Sequence, residues 1–338
     1  MIVWVLTDEK VGSNNQSIAI AERLSHYYVI KKIVYNNFIR FPNFLRRDTL
    51  IGVNKKQSSD IKQDLPDVVV CAGRRLSSVA LNIKKRSENK TFVINIMKPD
   101  LPYDKFDLIL LPVHDNIPEK YLRNGNIIET HGSLTMINAN RMNEEKEKWN
   151  EFFADYKRPL VSLIVGGDTK SYKYDAKEFG IMVSNLANIV NKVSGSLLIT
   201  TSRRTNSECV NQIRKKSNCD HYIYDFNWEN DDRNLMKSEL GNPYHAFFGL
   251  SDFLVVTGDS MSMISEACST GKPTYVYMPK KSLTKKHFKF CNEMLKYGYI
   301  KEFDKNVDYL QKYDYKPLNE IDRITQLIFK KMEENSGI

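Results

Sequence analysis

Short, largely β-branched apolar runs alternate with helix-patterned segments along both halves of the chain, and this alternation limits the fold more than any other feature. In the first half the runs are residues 2–6, 31–35, 68–71, 91–96 and 108–111; in the second they are 160–165, 196–200, 221–224, 253–256 and 273–277. Nearly continuous apolar strands suit a parallel sheet covered on both faces. Parallel neighbours need crossovers, and helical patterns at 17–24, 76–85, 176–193, 206–216, 261–269 and 319–333 supply them. The expected fold class is α/β, with two Rossmann-like doubly wound domains facing a cleft. The length of 338 residues fits two domains of roughly 150 residues each. The expected boundaries are 1–140 for the N-terminal domain and 159–315 for the C-terminal domain. Residues 141–158, polar and ending at Arg158-Pro159, read as an inter-domain helix or linker, and 316–338 as a C-terminal helix that crosses back to the first domain.

Composition removes several classes. The chain is 41% hydrophobic and 27% charged, which supports two packed cores and argues against global disorder. No apolar run approaches the roughly 18–20 residues of a membrane span. The apolar stretch at 2–6 is short and lacks a basic flank, so it reads as a first strand rather than a signal peptide. Cys71, Cys209, Cys219, Cys268 and Cys291 are widely spaced, with no CxxC pair. Neither a metal site nor a disulfide framework is indicated, and a cytoplasmic location fits. The net charge is +9, and its densest patch is Lys280, Lys281, Lys285, Lys286 and Lys289, interleaved with His287, Phe288 and Phe290. That patch reads either as a solvated helix face or as a surface for anionic lipid at the inner face of a membrane. No nucleic-acid motif accompanies the charge, so nucleic acid is not an expected partner.

Ligands of open α/β sheets bind beyond the carboxyl ends of the strands, so the residues after each strand matter most. The first such loop runs from Asp8 to Gln16; it is not GxGxxG, which argues against a dinucleotide site there. After 68–71 come Gly73, Arg74 and Arg75, two arginines at a helix start, where they oppose the dipole unless an anion arrives. His114 and Asp115 follow 108–111 as a candidate acid/base pair, and His131 lies in a later loop. In the second half, Gly166-Gly167-Asp168 follows a strand, and the glycines permit close approach of a ligand or a positive φ. Ser202, Arg203 and Arg204 combine a hydroxyl with guanidinium forks, as diphosphate recognition requires. Asp259-Ser260 leads from a strand into a helix, with Ser262 in its first turn and Glu266 one turn on, on the same face. A carboxylate at Glu266 can accept two hydrogen bonds from a ribose diol.

These blocks, together with the NNQSIAIAERL segment, Thr130-His131-Gly132, Asn242-Pro243-Tyr244 and the run from Val256 to Met263, resemble the mitochondrial fission Elm family and its bacterial relatives. The resemblance spans most of the chain and implies a GT-B-like fold, with a nucleotide-diphosphate sugar held mainly by the C-terminal domain. The segment 259–271 is similar to the donor loop and helix of the N-acetylglucosaminyltransferase that makes lipid II. That similarity implies ribose contact by Glu266 and phosphate contact by Ser260 and Ser262. The first loop departs from that enzyme: it has one glycine and no histidine.

The expected activity is transfer of a sugar from a nucleotide-diphosphate sugar to an acceptor at a membrane surface or on a lipid. No metal or other cofactor is expected. The donor-side candidates are Gly166, Gly167, Asp168, Ser202, Arg203, Arg204, Asn242, Asp259, Ser260, Ser262 and Glu266. Gln16, Arg74, Arg75 and His131 are the acceptor-side candidates, and Asp8, His114 and Asp115 the candidates for the catalytic base. Two alternatives stay open. One is a non-catalytic, membrane-associated recruiter, which the fission role of the plant members implies. The other is a nucleotide-sugar epimerase, against which the missing GxGxxG and the lack of a placed Tyr-x-x-x-Lys pair count. Oligomeric state is not legible.

Overall fold

A computed structural model describes the chain except for residues 42–45, 116, 118, 123–124, 170–172, 228–239, 280–282 and 337–338. The chain divides into two units, one of Met1–Met136 with Asn319–Ile338 and the other of Ile137–Leu318.

The first unit holds six parallel strands: β1 (Val3–Thr7), β2 (Tyr28–Lys32), β3 (Val68–Ala72), β4 (Phe92–Ile96), β5 (Leu108–Pro112) and β6 (Ile127–Thr130), in the order β2-β1-β3-β4-β5-β6. Alternation along β1 divides its side chains between two cores. Val3 and Val5 join one, with Ala19, Ile20 and Leu24 of the helix Val11–Leu24; Trp4 and Leu6 join the other, with Val79 and Ile83 of the helix Gly73–Arg86. Period-two alternation with apolar residues on both faces explains why the strand reads as a continuous apolar run. The helix Glu320–Ser336 places Ile321, Ile324 and Ile328 in the first of these cores.

The second unit repeats the design with β7 (Leu160–Ile164), β8 (Ser196–Thr200), β9 (Asp220–Tyr224), β10 (Phe253–Thr257), β11 (Thr274–Tyr277) and β12 (Lys301–Glu302). Its order is β12-β11-β10-β7-β8-β9, again all parallel. In both units the chain reverses its direction of growth across the sheet. The reversal falls between β1 and β3 in the first unit and between β7 and β10 in the second. Neighbouring loops diverge at such a switch point and leave a crevice at the carboxyl ends.

Four local expectations are revised. The second strand is Tyr28–Lys32, not 31–35, because it is a half-exposed edge strand without a continuous apolar pattern. The first helix begins at Val11, so Gln16 lies inside a helix instead of in a loop. Strands β6 and β12 and the helix Tyr244–Leu250 lie where no strong periodicity marks them. The charged stretch 141–158, expected as an inter-domain helix or linker, is helical as far as Asn150 and belongs to the second unit. Asn138 caps the helix Ala139–Asn150, and Trp149 and Phe153 lie 1% and 3% exposed in the core of the second unit, Phe153 against Tyr222 and Phe247. Trp149 near the end of the helix and Phe153 in the turn after it anchor a segment that is otherwise mostly polar.

Candidate functional site

At the β7/β10 switch point of the second unit, Asp259 ties three loops together. Its carboxylate has no exposed surface. Oδ2 accepts hydrogen bonds from the Gly167 N–H at 2.7 Å and from Arg204 Nη2 at 3.2 Å. Oδ1 accepts from the Tyr174 hydroxyl and the Thr257 hydroxyl, each at 2.7 Å. Thr257 Oγ1 in turn accepts from the Gly166 N–H at 2.8 Å. The glycine pair serves this packing. A Cβ on Gly166 would lie 2.2 Å from Asp259 Oδ2, and one on Gly167 would lie 2.2 Å from the backbone of Arg204. Asp259 is thus the buried frame of the loops.

The neighbouring candidates separate in the same way. Asp168 accepts from Tyr174 N at 3.1 Å and from Asn206 Nδ2, bracing the loop after β7. Ser202 donates to the Gly166 carbonyl at 2.6 Å. Arg204 is committed to protein acceptors: the Gly167 carbonyl at 3.0 Å, the Asp168 carbonyl at 3.3 Å and Asp259. Arg203 is exposed and makes no ion pair or side-chain hydrogen bond among the described residues. Of the two arginines, Arg203 alone presents an uncommitted guanidinium at the carboxyl edge.

The helix Met261–Cys268 starts directly after this frame. Ser260 caps it by accepting from Met263 N. The preceding N–H groups have no partner within the helix, and the Ser262 hydroxyl beside them is uncommitted among the described residues. One turn on, Glu266 Oε2 accepts the hydroxyl hydrogen of Tyr244, while Oε1 has no partner among the described residues. Burial pushes the Glu266 carboxyl up to about 7, against the opposing pull of the Tyr244 hydrogen bond and the Arg141 charge. Burial and the same arginine hold His245 down at about 4. Asn242 plays a local part: its Oδ1 accepts from Tyr244 N and opens the helix Tyr244–Leu250. Sequence reasoning placed Tyr244 in a motif but assigned it no role. Its signal is the Asn-Pro pair before it, which fixes the helix start and aims the ring.

In the first unit Asp8 stands apart from the other two candidate bases. Asp8 follows β1, whereas His114 and Asp115 form a turn after β5, and β3 and β4 lie between. At a strand spacing of roughly 4.8 Å, that separation is on the order of 14 Å. Asp8 Oδ1 accepts from Lys10 N at 2.8 Å, and burial raises its pKa above the usual carboxylate value. The arginines at the start of the helix Gly73–Arg86 find their anions within the protein: Arg75 pairs with Glu9, and Arg74 lies 3.7 Å from Asp100. The dipole argument for a bound anion there therefore falls away. Gln16 accepts from Leu134 N, and the His131 N–H donates to Glu320 at 2.8 Å, so both join the loop after β6 to neighbouring helices.

The basic patch is also revised. Lys280 and Lys281 lie outside the described residues. Lys285, Lys286 and Lys289 stand on the helix Lys285–Lys296, but Phe290 is fully buried and Phe288 packs against the core. The aromatic half of a membrane-binding face is therefore turned inward. Lys289 pairs with Glu293 at 3.8 Å. His287 lies within the fields of Asp259, Lys286 and Arg204, which puts the start of this helix beside the switch point.

The family described as mitochondrial fission ELM1 matches residues 11–332. An uncharacterized protein of Rickettsia prowazekii is 29% identical over 357 residues, covering 97% of this chain and 98% of that one. Mitochondrial fission protein ELM1 of Arabidopsis thaliana is 27% identical over 287 residues, covering 80% of this chain and 64% of the plant protein, just under two thirds of its length. Among solved structures, UDP-GlcNAc 2-epimerase from Methanocaldococcus jannaschii has a TM-score of 0.54 at 13% identity, covering 98% of this chain and 100% of that one. The same enzyme in complex with UDP-GlcNAc and UDP gives 0.52 at 13% identity, with the same coverage. At that identity the likeness establishes the fold, two Rossmann-like α/β units of the GT-B type. No helix among the described residues is long and apolar enough to cross a membrane.

Proposed function

The chain belongs to the mitochondrial fission ELM1 family, and from that premise we propose that its second unit binds a nucleotide-diphosphate sugar whose sugar it transfers to an acceptor. The observation that carries this reading is Glu266. Tyr244 holds one carboxylate oxygen, and the other is left open one turn inside a capped helix. An open carboxylate oxygen at that depth suits a ribose diol. The helix start, with its free N–H groups, Ser262 and Arg203 nearby, suits the diphosphate. The helix dipole and Arg203 would also stabilise the charge that develops on a leaving diphosphate. Asp8, buried with a raised pKa, is the candidate to accept the acceptor's proton.

UDP is the first ligand to test, because the solved structures of this fold include complexes with it. Calorimetry should show UDP binding to wild type and weaker binding to Glu266→Gln, with inorganic pyrophosphate nearly unaffected. Equal losses for both ligands would make Glu266 a structural residue. The separation of Asp8 from His114 and Asp115 favours a second reading, a non-catalytic recruiter that retains the nucleotide site. Incubation with UDP-GlcNAc separates the alternatives. Hydrolysis without acceptor supports the transferase, conversion to the 2-epimer supports an epimerase, and intact nucleotide sugar with measurable binding supports the recruiter.

A further inference from the structure

A cavity of about 670 Å³ opens in the first unit at the carboxyl ends of β1 and β2. Its lining includes Asp8, Lys32, Tyr35, Asn37, Arg40 and Arg75. Arg75 is neutralised by Glu9. Lys32 and Arg40 are exposed and pair with no carboxylate among the described residues, so the mouth carries two uncommitted cations. Deeper in, Asp8 Oδ2 has no partner among the described residues. Tyr35 forms a wall; its hydroxyl is buried without a hydrogen bond among the described residues, an uncommon state for a buried polar group.

Beside the cavity, on the segment that contributes Asn37, Ile39 and Arg40 to its lining, stand two exposed aromatic rings. Asn37–Arg40 forms a 3₁₀ turn capped by Asn36, which accepts from Phe38 N at 3.0 Å. Three residues per turn stack positions 38 and 41 on one side. Phe38 and Phe41 are 59% and 49% exposed, with ring centroids 5.7 Å apart. Gly52 holds the turn: with φ at +88°, it approaches so closely that a Cβ there would lie 2.8 Å from Ile39 N.

We propose that this pocket binds a phosphorylated polyol, delivered as the headgroup of an anionic phospholipid. Arg40 and Lys32 take the phosphate, Asp8 accepts from a polyol hydroxyl, and Phe38 and Phe41 enter the bilayer interface beside it. Paired cations suit a phosphate, a buried carboxylate rejects a bare anion but accepts a hydroxyl, and exposed aromatic rings favour the interface. The pocket shares Asp8 with the proposed transfer step, but it does not rest on the nucleotide site, which concerns the second unit.

The test uses the full chain without nucleotide. Calorimetry compares inositol 1-phosphate with inorganic phosphate, and flotation uses phosphatidylcholine vesicles with and without phosphatidylinositol. Inositol 1-phosphate should bind wild type at least about tenfold more tightly than phosphate does, and Arg40→Gln should weaken it by about tenfold or more, as loss of a charge-assisted contact implies. Asp8→Asn should reduce the preference over phosphate. Phe38→Ser with Phe41→Ser should abolish flotation and leave inositol 1-phosphate binding in place. Wild type that binds inositol 1-phosphate but ignores the vesicles supports the pocket and overturns the lipid source in favour of a free polyol phosphate. No binding of inositol 1-phosphate to wild type, or equal binding by Arg40→Gln, overturns the site itself. A parallel UDP titration reports on the second unit alone.

Discussion

Asp259 Oδ2 sits 2.7 Å from the backbone nitrogen of Gly167, in space that a side chain on the preceding glycine would have to enter. The absence of two Cβ atoms lets a buried carboxylate join three loops. Gly166→Ala should therefore destabilise the second unit by roughly 1–3 kcal/mol, the usual scale of overpacking. Asp259→Ala, which strips partners from Tyr174, Thr257 and the Gly167 N–H, should cost roughly 3 kcal/mol or more. Urea denaturation followed by a probe in the second unit checks both. Wild-type midpoints would show that the loops do not depend on this carboxylate.

The two adjacent arginines should behave differently. Arg204 is tied to Asp259 and two carbonyls, whereas Arg203 is uncommitted among the described residues. Arg204→Ala should lower the melting temperature and UDP affinity together. Arg203→Ala should leave melting unchanged and weaken UDP by roughly 1.5–3 kcal/mol, the scale of a charge-assisted hydrogen bond. Identical behaviour of the two variants in both measurements would contradict this division.

Glu266 should make nucleotide binding sensitive to pH near neutrality. Its carboxyl rises from 4.5 to about 7 in the fold, so the folded state holds the proton more tightly. That contribution to stability is fully present below pH 4.5 and is lost as pH rises towards 7; by linkage it amounts to roughly 3 kcal/mol. His245 acts in the opposite sense: lowered from 6.5 to about 4, it adds stability as pH rises through that window. The stability of wild type relative to Glu266→Gln isolates the carboxyl and should fall as pH rises, so that the two differ most at high pH. UDP affinity should rise as Glu266 ionises. Tyr244→Phe removes a hydrogen bond that favours the carboxylate, so it should move that rise to higher pH. Titrations from pH 5.5 to 8.5 test the shift, and coincident profiles would refute it.

The C-terminal helix is part of the first unit's core. Ile324 and Ile328 are fully buried there. Ile324→Ala should cost roughly 2–5 kcal/mol. A chain ending at residue 318 should lose protection from proteolysis in residues 1–136 before it does in the second unit. Uniform protection in both units would exclude the helix from that core.

Phe290 offers a direct check on the revised basic helix. It is fully buried, so Phe290→Ala should destabilise by roughly 3–5 kcal/mol. Lys285→Gln with Lys286→Gln should change stability by less than about 0.5 kcal/mol, as exposed substitutions usually do. A stable Phe290→Ala variant would return the ring to the surface.

Strand–helix alternation, with two cores and a set of polar loops after the strands, was legible in the order of residues. These are short-range patterns: β1, β3 and β10 are apolar on both faces, and that alone specifies a covered parallel strand. The capping hydroxyl at Ser260 and the place of Glu266 one turn on are equally local. Tertiary structure decided what each polar residue meets, because strand order brings together loops far apart in the chain. Residues 166–168, 202–205 and 259 converge since β7 lies between β10 and β8, while Asp8 and His114 part since β3 and β4 lie between β1 and β5. A sequence shows that Arg203 and Arg204 are both cations; only the packed loops commit Arg204 to Asp259. It shows that lysines alternate with Phe288 and Phe290, but a helix can turn either face inward, and the apolar demand of the core settled which.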